Sequence, residues 1–86
     1  MIEIEFTQRF KKRFNKLPKK LQEQFYKRID LFCEDPKNSL LKVHPLKGKL
    51  TGFRAFSVNA DCRVVFQYIK VDLVKLVDIG THNQVY

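Results

Sequence analysis

The feature that most constrains the fold is the period of apolar residues in the last third of the chain. Three runs, Phe53–Val58, Cys62–Ile69 and Leu73–Ile79, are rich in β-branched and aromatic residues, a composition typical of β-strands. The segments between them, Asn59-Ala60-Asp61 and Lys70-Val71-Asp72, are tight turns. Because short turns join antiparallel neighbours, the three runs are predicted to form an antiparallel meander.

The first half of the chain has a different period. Residues 1–6 alternate apolar and acidic side chains, which indicates a half-buried strand. Thr7 is a suitable cap for a first helix, and Pro18 suits the first position of a second. Apolar side chains at spacings of three and four define one face of each helix: Phe10, Phe14 and Leu17, then Leu21, Phe25, Ile29 and Phe32. Glu34-Asp35-Pro36 ends the second helix, and a loop is predicted from Lys37 to Gly52.

The predicted order of elements is therefore β-α-α-β-β-β, in the α+β class. We expect a two-helix hairpin packed on a curved, mainly antiparallel sheet. A chain of 86 residues is one domain, residues 1–86. The register stays open at this point, and a slip of one residue would move Arg54 or Arg63 to the opposite face of the sheet.

The charge balance points to a polyanionic partner. Seventeen Lys and Arg against nine Asp and Glu give a net charge of +8, which favours binding to nucleic acid. Seven cations lie between Phe6 and Gln22 with no acid among them, so they form either a docking surface or a solvated helix face. They are Arg9, Lys11, Lys12, Arg13, Lys16, Lys19 and Lys20. No apolar segment suggests a membrane partner, and we expect a cytoplasmic protein.

The segment after Ile79 carries groups suited to chemistry. Gly80 is where the last strand is expected to end, and His82 and Tyr86 follow it. Histidine exchanges a proton near neutral pH, and tyrosine can stack on a base. Cys33 and Cys62 occur singly within apolar patterns and are expected to be buried free thiols.

The remaining polar residues suit RNA cleavage without a metal or another cofactor. No group of Cys, His and acidic residues has metal-ligand spacing. Two imidazoles, a carboxylate and several cations can remove the ribose 2′-hydroxyl proton, stabilise a charged phosphorane and protonate the leaving 5′-oxygen. DNA lacks the 2′-hydroxyl and could not be cut in this way. The residues are His44, Lys47, Lys49, Arg54, Asp61, Arg63, His82 and Tyr86.

The order of these residues resembles that of the RelE/ParE superfamily of bacterial toxins. Four passages carry the resemblance, which covers essentially the whole chain: Val43-His44-Pro45-Leu46-Lys47-Gly48, Gly52-Phe53-Arg54-Ala55-Phe56-Ser57-Val58, Asp61-Cys62-Arg63-Val64-Val65-Phe66, and Ile79-Gly80-Thr81-His82 with Val85-Tyr86. Within the superfamily the chain is most similar to the YafQ-like mRNA interferases. These enzymes cut mRNA in the ribosomal A site and are held inactive by an antitoxin, with which a hetero-oligomer is expected.

The resemblance also implies a role for each residue of the site. His82 would be a general acid or base, with His44 and Asp61 as proton-transfer or orienting partners. Arg63 would stabilise the phosphate transition state. Arg54 and Tyr86 would contact the substrate, and Lys47 and Lys49 would face its phosphates. The helical cations Arg9, Lys12, Arg13, Lys16, Lys19 and Lys20 would dock ribosomal RNA.

Two positions depart from the family pattern and keep alternatives open. Ser57 stands where YafQ-like enzymes have another histidine, and Phe56 stands where RelE has a second lysine. One alternative is a ParE-like inhibitor that binds DNA gyrase without chemistry, although two histidines and Asp61 argue against it. Another is an RNA-binding domain with degraded activity.

Overall fold

The computed structural model describes residues 2–85, with the side chain of His82 left out. The helices are α1 Gln8–Asn15, α2 Lys19–Glu34 and α3 His82–Val85. The strands are β1 Glu3–Phe6, β2 His44–Pro45, β3 Arg54–Ser57, β4 Cys62–Lys70 and β5 Leu73–Thr81. This confirms the predicted α+β class, with β2 and α3 as additions to the predicted order. No helix in this part of the chain is long and apolar enough to cross a membrane.

Both long helices begin and pack as their apolar spacing predicts. Thr7 caps α1, and its Oγ1 accepts a hydrogen bond from the Phe10 backbone N–H. Pro18 is the N-cap of α2, one position before the predicted one. Phe10 and Phe25 are buried against the sheet with Phe32, in one apolar core. The helix hairpin therefore covers one face of the sheet, as expected.

The strand order in the sheet is β1-β5-β4-β3-β2. The strands β3, β4 and β5 pair antiparallel, which confirms the predicted meander. The first strand, β1, pairs parallel with β5. The two-residue strand β2 pairs antiparallel with β3, so part of the predicted loop folds back onto the sheet.

The register decides which residues share a face. Arg54 is opposite Phe66, and Ser57 is opposite Arg63, with no irregularity between the two pairs. Phe56 and Phe66 belong to the core under the helices. Because side chains alternate along a strand, Arg54 is on the helix face and Arg63 is on the other face.

The last strand does not end at Gly80 as we expected. It continues to Thr81, which pairs with Cys62, and the backbone then turns into α3. At its other edge β5 pairs with β1 only as far as Leu76. Helix α1 packs against β5, and the Thr7 hydroxyl donates to the carbonyl oxygens of Leu76 and Val77. Helix α1 therefore lies beside the second half of β5, in the place where β1 would otherwise continue.

Candidate functional site

The turn between β3 and β4 is held by the side chain of Asn59. Its Oδ1 accepts hydrogen bonds from the backbone N–H groups of Asp61 and Cys62, each at 2.8 Å. Its Nδ2 donates to Gln24 Oε1 of α2 at 3.0 Å. Asp61 is exposed at this turn. Local hydrogen bonding thus explains why the chain turns here, and it fixes the position from which the Asp61 carboxylate projects.

Arg63 lies half-buried at the start of β4, beside the same turn. Its Nη1 donates to the backbone carbonyls of Asn59 at 2.9 Å, Ala60 at 3.1 Å and Cys62 at 3.3 Å. These contacts offset the cost of placing a cation in an apolar strand. Nε and Nη2 make no hydrogen bond to the described residues.

Helix α3 packs against the ends of β4 and β5, where Arg63 and Gly80 are paired. Gly80 pairs with Arg63 in the sheet, and Gln84 Oε1 accepts a hydrogen bond from the Thr81 backbone N–H at 2.9 Å. A Cβ on Gly80 would lie 2.6 Å from Gln84 Oε1. Val85 is buried. The absence of a side chain at Gly80 therefore lets α3 pack on the face that carries Arg63.

A cleft joins the β3–β4 turn to α3. It has a volume of about 200 Å³, and it is lined by Leu17, Leu21, Asn59, Asp61, Cys62, Gly80, Thr81 and Gln84. The fold therefore brings Asp61 and Arg63 next to the backbone from which His82 projects. The side chain of His82 and the whole of Tyr86 lie outside the described residues.

His44 is on the same face of the sheet as Arg63, but it is two strands away, in β2. It is exposed in β2 and is opposite Ala55. From strand spacing and rise, its Cα is about 12 Å from that of Arg63. His44 Nδ1 lies 2.9 Å from the carbonyl oxygen of Lys42, a contact in which the ring nitrogen donates its proton to the carbonyl.

Three of the predicted substrate-binding residues lie away from this cleft. Arg54 lines a different cleft of about 510 Å³ with Lys37, Lys42 and Tyr68. Lys47 and Lys49 are exposed beside a third cleft of about 320 Å³. The structure therefore does not bring Arg54, Lys47 and Lys49 together with Asp61 and Arg63.

The cations on the helices do not form a uniform surface, because two of them pair with an acid from β5. Arg9 Nε and Arg13 Nε each lie 3.2 Å from a carboxylate oxygen of Asp78. The Asp78 side chain is only 6% exposed. Lys12, Lys16, Lys19 and Lys20 are exposed. Sequence reasoning missed Asp78, although an acid inside an apolar strand was a signal that a partner was needed.

Neither cysteine is suited to nucleophilic chemistry. Burial raises the pKa of the Cys62 thiol to about 11, against smaller opposing effects of a backbone hydrogen bond from Gly80 and of the Arg63 charge. Partial burial, with the Asp30 charge, raises the pKa of Cys33. Both thiols therefore stay protonated at neutral pH. In residues 2–85 no group of three or more His, Cys, Asp or Glu residues could hold a metal ion.

Comparison with known proteins decides the family. The family model described as "Bacterial toxin of type II toxin-antitoxin system, YafQ" matches residues 2–86. The chain belongs to the YafQ toxin family. No curated protein sequence matches it. The YafQ match confirms the resemblance that the ordered histidine and arginine passages indicated.

Solved structures agree with this assignment to the YafQ family. A metal-bound toxin from Helicobacter pylori is 31% identical with a TM-score of 0.76, and the alignment covers 100% of both chains. YafQ from E. coli strain BL21(DE3) is 20% identical with a TM-score of 0.82, covering 100% of this chain and 99% of that one. The E. coli DinJ-YafQ toxin-antitoxin complex contains a chain 20% identical, with a TM-score of 0.79 and coverage of 99% and 97%. The last two show the shared fold.

Proposed function

We propose that this toxin of a type II toxin-antitoxin system is an endoribonuclease that cleaves mRNA in the ribosomal A site by acid-base catalysis. The observation that supports this is the pairing of Arg63 with Gly80 beside the cleft that Asp61 lines. The pairing brings a cation and a carboxylate next to the segment that begins with His82. Each is a group that phosphodiester cleavage needs.

The proposed reaction uses only the RNA and the protein's side chains. A base takes the proton of the 2′-hydroxyl, the 2′-oxygen forms a bond to phosphorus, and the bond from phosphorus to the 5′-oxygen breaks. An acid protonates that 5′-oxygen, which leaves a 2′,3′-cyclic phosphate and a 5′-hydroxyl. His82 acts as one of these two groups, His44 and Asp61 transfer or orient protons, and Arg63 stabilises the negative phosphorane.

The partners in this proposal are the ribosome, its mRNA and a cognate antitoxin. The E. coli relative is known in complex with DinJ, and we infer that this chain likewise forms a hetero-oligomer with an antitoxin. The helical cations would dock ribosomal RNA through charge. They are Arg9, Lys12, Arg13, Lys16, Lys19 and Lys20. Tyr86 would stack on the substrate nucleotide, and Arg54, Lys47 and Lys49 would contact RNA further from the cleft.

Primer extension on a defined message in a reconstituted translation reaction tests the catalytic proposal. The wild-type chain should cut within A-site codons, and His82→Ala should reduce cutting by at least about a hundredfold, the usual contribution of a general acid or base. Asn83→Ala is the matched control, because Asn83 is exposed in the same helical turn. This control should cut normally.

Two outcomes would contradict the proposal. Full cutting by His82→Ala would remove the proton-transfer role of that residue. Growth arrest with intact mRNA and with DNA damage would favour a ParE-like gyrase inhibitor, which acts by binding.

A further inference from the structure

The buried carboxylate of Asp78 carries one negative charge and is paired with two positively charged guanidinium groups. Arg9 Nε lies 3.2 Å from Oδ2, and Arg13 Nε lies 3.2 Å from Oδ1. Oδ1 also accepts a hydrogen bond from the Ile79 backbone N–H at 2.9 Å. One guanidinium would neutralise this carboxylate, so the second leaves a surplus charge of one at a fixed place. A surplus cation that is held in position by a buried acid can serve as a binding group.

The arginines keep the donors that an anion would use. Arg9 Nε donates a hydrogen bond to Asp78, and Arg13 Nε forms an ion pair with it. The Nη groups of both arginines make no hydrogen bond to the described residues. The Arg13 side chain is 34% exposed, whereas that of Asp78 is 6% exposed. The carboxylate therefore faces inward, and the guanidinium of Arg13 reaches solvent. Paired guanidinium N–H groups match the spacing of phosphate oxygens.

Arg13 lines a second cleft, which lies next to the candidate catalytic cleft. This cleft has a volume of about 350 Å³ and is lined by Arg13, Lys16, Leu17, Ile79 and Gln84. Leu17 and Gln84 also line the cleft that contains Asp61. The two clefts therefore adjoin across Gln84, and a strand of RNA in one would continue into the other.

We propose that Arg13 and Lys16 form a subsite for an RNA phosphate beside the scissile one, and that Asp78 is the positioning residue that holds Arg13 there. These two cations then bind the message instead of ribosomal RNA, while Arg9, Lys12, Lys19 and Lys20 remain the ribosome-docking set. The proposal rests on the proposed function only for the identity of the anion as RNA. The subsite is defined by residues of α1 and β5 to which the sequence resemblance gave no substrate role.

Fluorescence anisotropy with a labelled single-stranded 2′-O-methyl RNA tests the subsite. The methyl group blocks cleavage, so binding is measured apart from catalysis. Asp78→Asn raises the net charge by one, and charge alone would tighten binding. We expect it to weaken binding by about threefold or more, because Arg13 loses its charge-assisted contact and its fixed position. Asp72→Asn is the control: Asp72 is exposed at the opposite end of β5, and this change should leave binding equal or tighter.

Variants of Arg13 keep the test decisive if Asp78→Asn fails to fold. Arg13→Lys keeps the charge but removes the planar fork, and we expect weaker binding than wild type. Arg13→Gln should lower the slope of log K against log salt by about 0.7, the value for one phosphate contact on a single strand. Lys12→Gln removes one charge from the same helix and should weaken binding less.

The outcomes that overturn the subsite differ from those that overturn catalysis. Equal binding by Asp78→Asn and Asp72→Asn, equal binding by Arg13→Gln and Lys12→Gln, or no RNA binding by the wild-type chain at low salt each rejects it. Loss of binding in the Arg13 variants, together with a wild-type chain that binds RNA and never cuts it, would keep the subsite and reject the endoribonuclease.

Discussion

The two faces of the sheet are built by different means. On the helix face, the rings of Phe32, Phe56 and Phe66 pack with centroids 5.1 to 5.7 Å apart. On the other face, Arg63 is paired with Gly80. Here a small number of specific hydrogen bonds hold the β3–β4 turn and α3 in place. The helix face therefore carries the stability of the fold, and the other face carries the groups proposed for chemistry. Substitutions on the two faces should fail in different ways.

The largest effect should come from Phe32→Ala on the helix face. Phe32 is fully buried, and its removal leaves a cavity in a close-packed core. We expect the free energy of unfolding to fall by about 3–5 kcal/mol, measured by urea denaturation. Val71→Ala is the control, since Val71 is 91% exposed, and its effect should be within about 0.5 kcal/mol. Similar losses in both variants would contradict the comparison.

The second largest effect on stability should come from Asn59→Ala, in the β3–β4 turn beside the candidate site. The change leaves the backbone N–H groups of Asp61 and Cys62 without their acceptor. We expect a loss of about 1–2 kcal/mol in the free energy of unfolding. Cleavage in the translation reaction should fall more than this loss of folded protein explains, because the turn also anchors Arg63. Asn59→Asp keeps the acceptor oxygen and should retain most of the stability; a loss as large as that of Asn59→Ala would refute this explanation.

A smaller effect on stability is expected from Gly80→Ala. The new methyl group would meet Gln84 Oε1, so the end of a flexible side chain must move and the Thr81 N–H loses its partner. We expect a cost of about 1 kcal/mol, with faster proteolysis of the C-terminal segment as the readout. The double variant Gly80→Ala/Gln84→Ala removes the clash and should recover part of the packing of α3. An undisturbed C-terminal segment in Gly80→Ala would show that the contact does not hold α3.

The last effect is confined to alkaline pH. The pKa of Cys62 is raised to about 11 in the folded chain, from an ordinary value of 9.0. Below pH 9 the thiol is protonated in both states, so its contribution to stability is fully present. As the pH rises from about 9 to about 11, the unfolded chain ionises first and the contribution is lost, by about 1 kcal/mol at pH 10. Urea midpoints for wild type and Cys62→Ala should converge over this range, and parallel curves would reject the assignment.

The sequence predicted the parts of the fold that repeat a period. The meander follows from alternation and short turns, and the helix hairpin follows from spacings of three and four, because local periodicity fixes which side of an element is apolar. It did not predict β2, a strand of two residues without a detectable period. The end of β5 was misplaced at Gly80, since glycine there makes room for α3 and does not interrupt the strand.

The candidate site divides in the same way. The residue types at positions 44, 61, 63 and 82 indicated the chemistry, because proton transfer and phosphate stabilisation need those groups. Their roles stay predictions. The register separated Arg54 from Arg63, and a one-residue difference in register cannot be read from alternation alone.

By itself, the sequence determined the α+β class, the order of the main elements, the basic character and the family of this toxin. The tertiary structure alone decided that Asp78 binds Arg9 and Arg13, that Arg63 shares a face with Gly80, and that two clefts meet at Gln84. The physical reason is that periodicity is a local property of the chain. A buried ion cluster depends on contacts between residues about 70 positions apart, which no local pattern encodes.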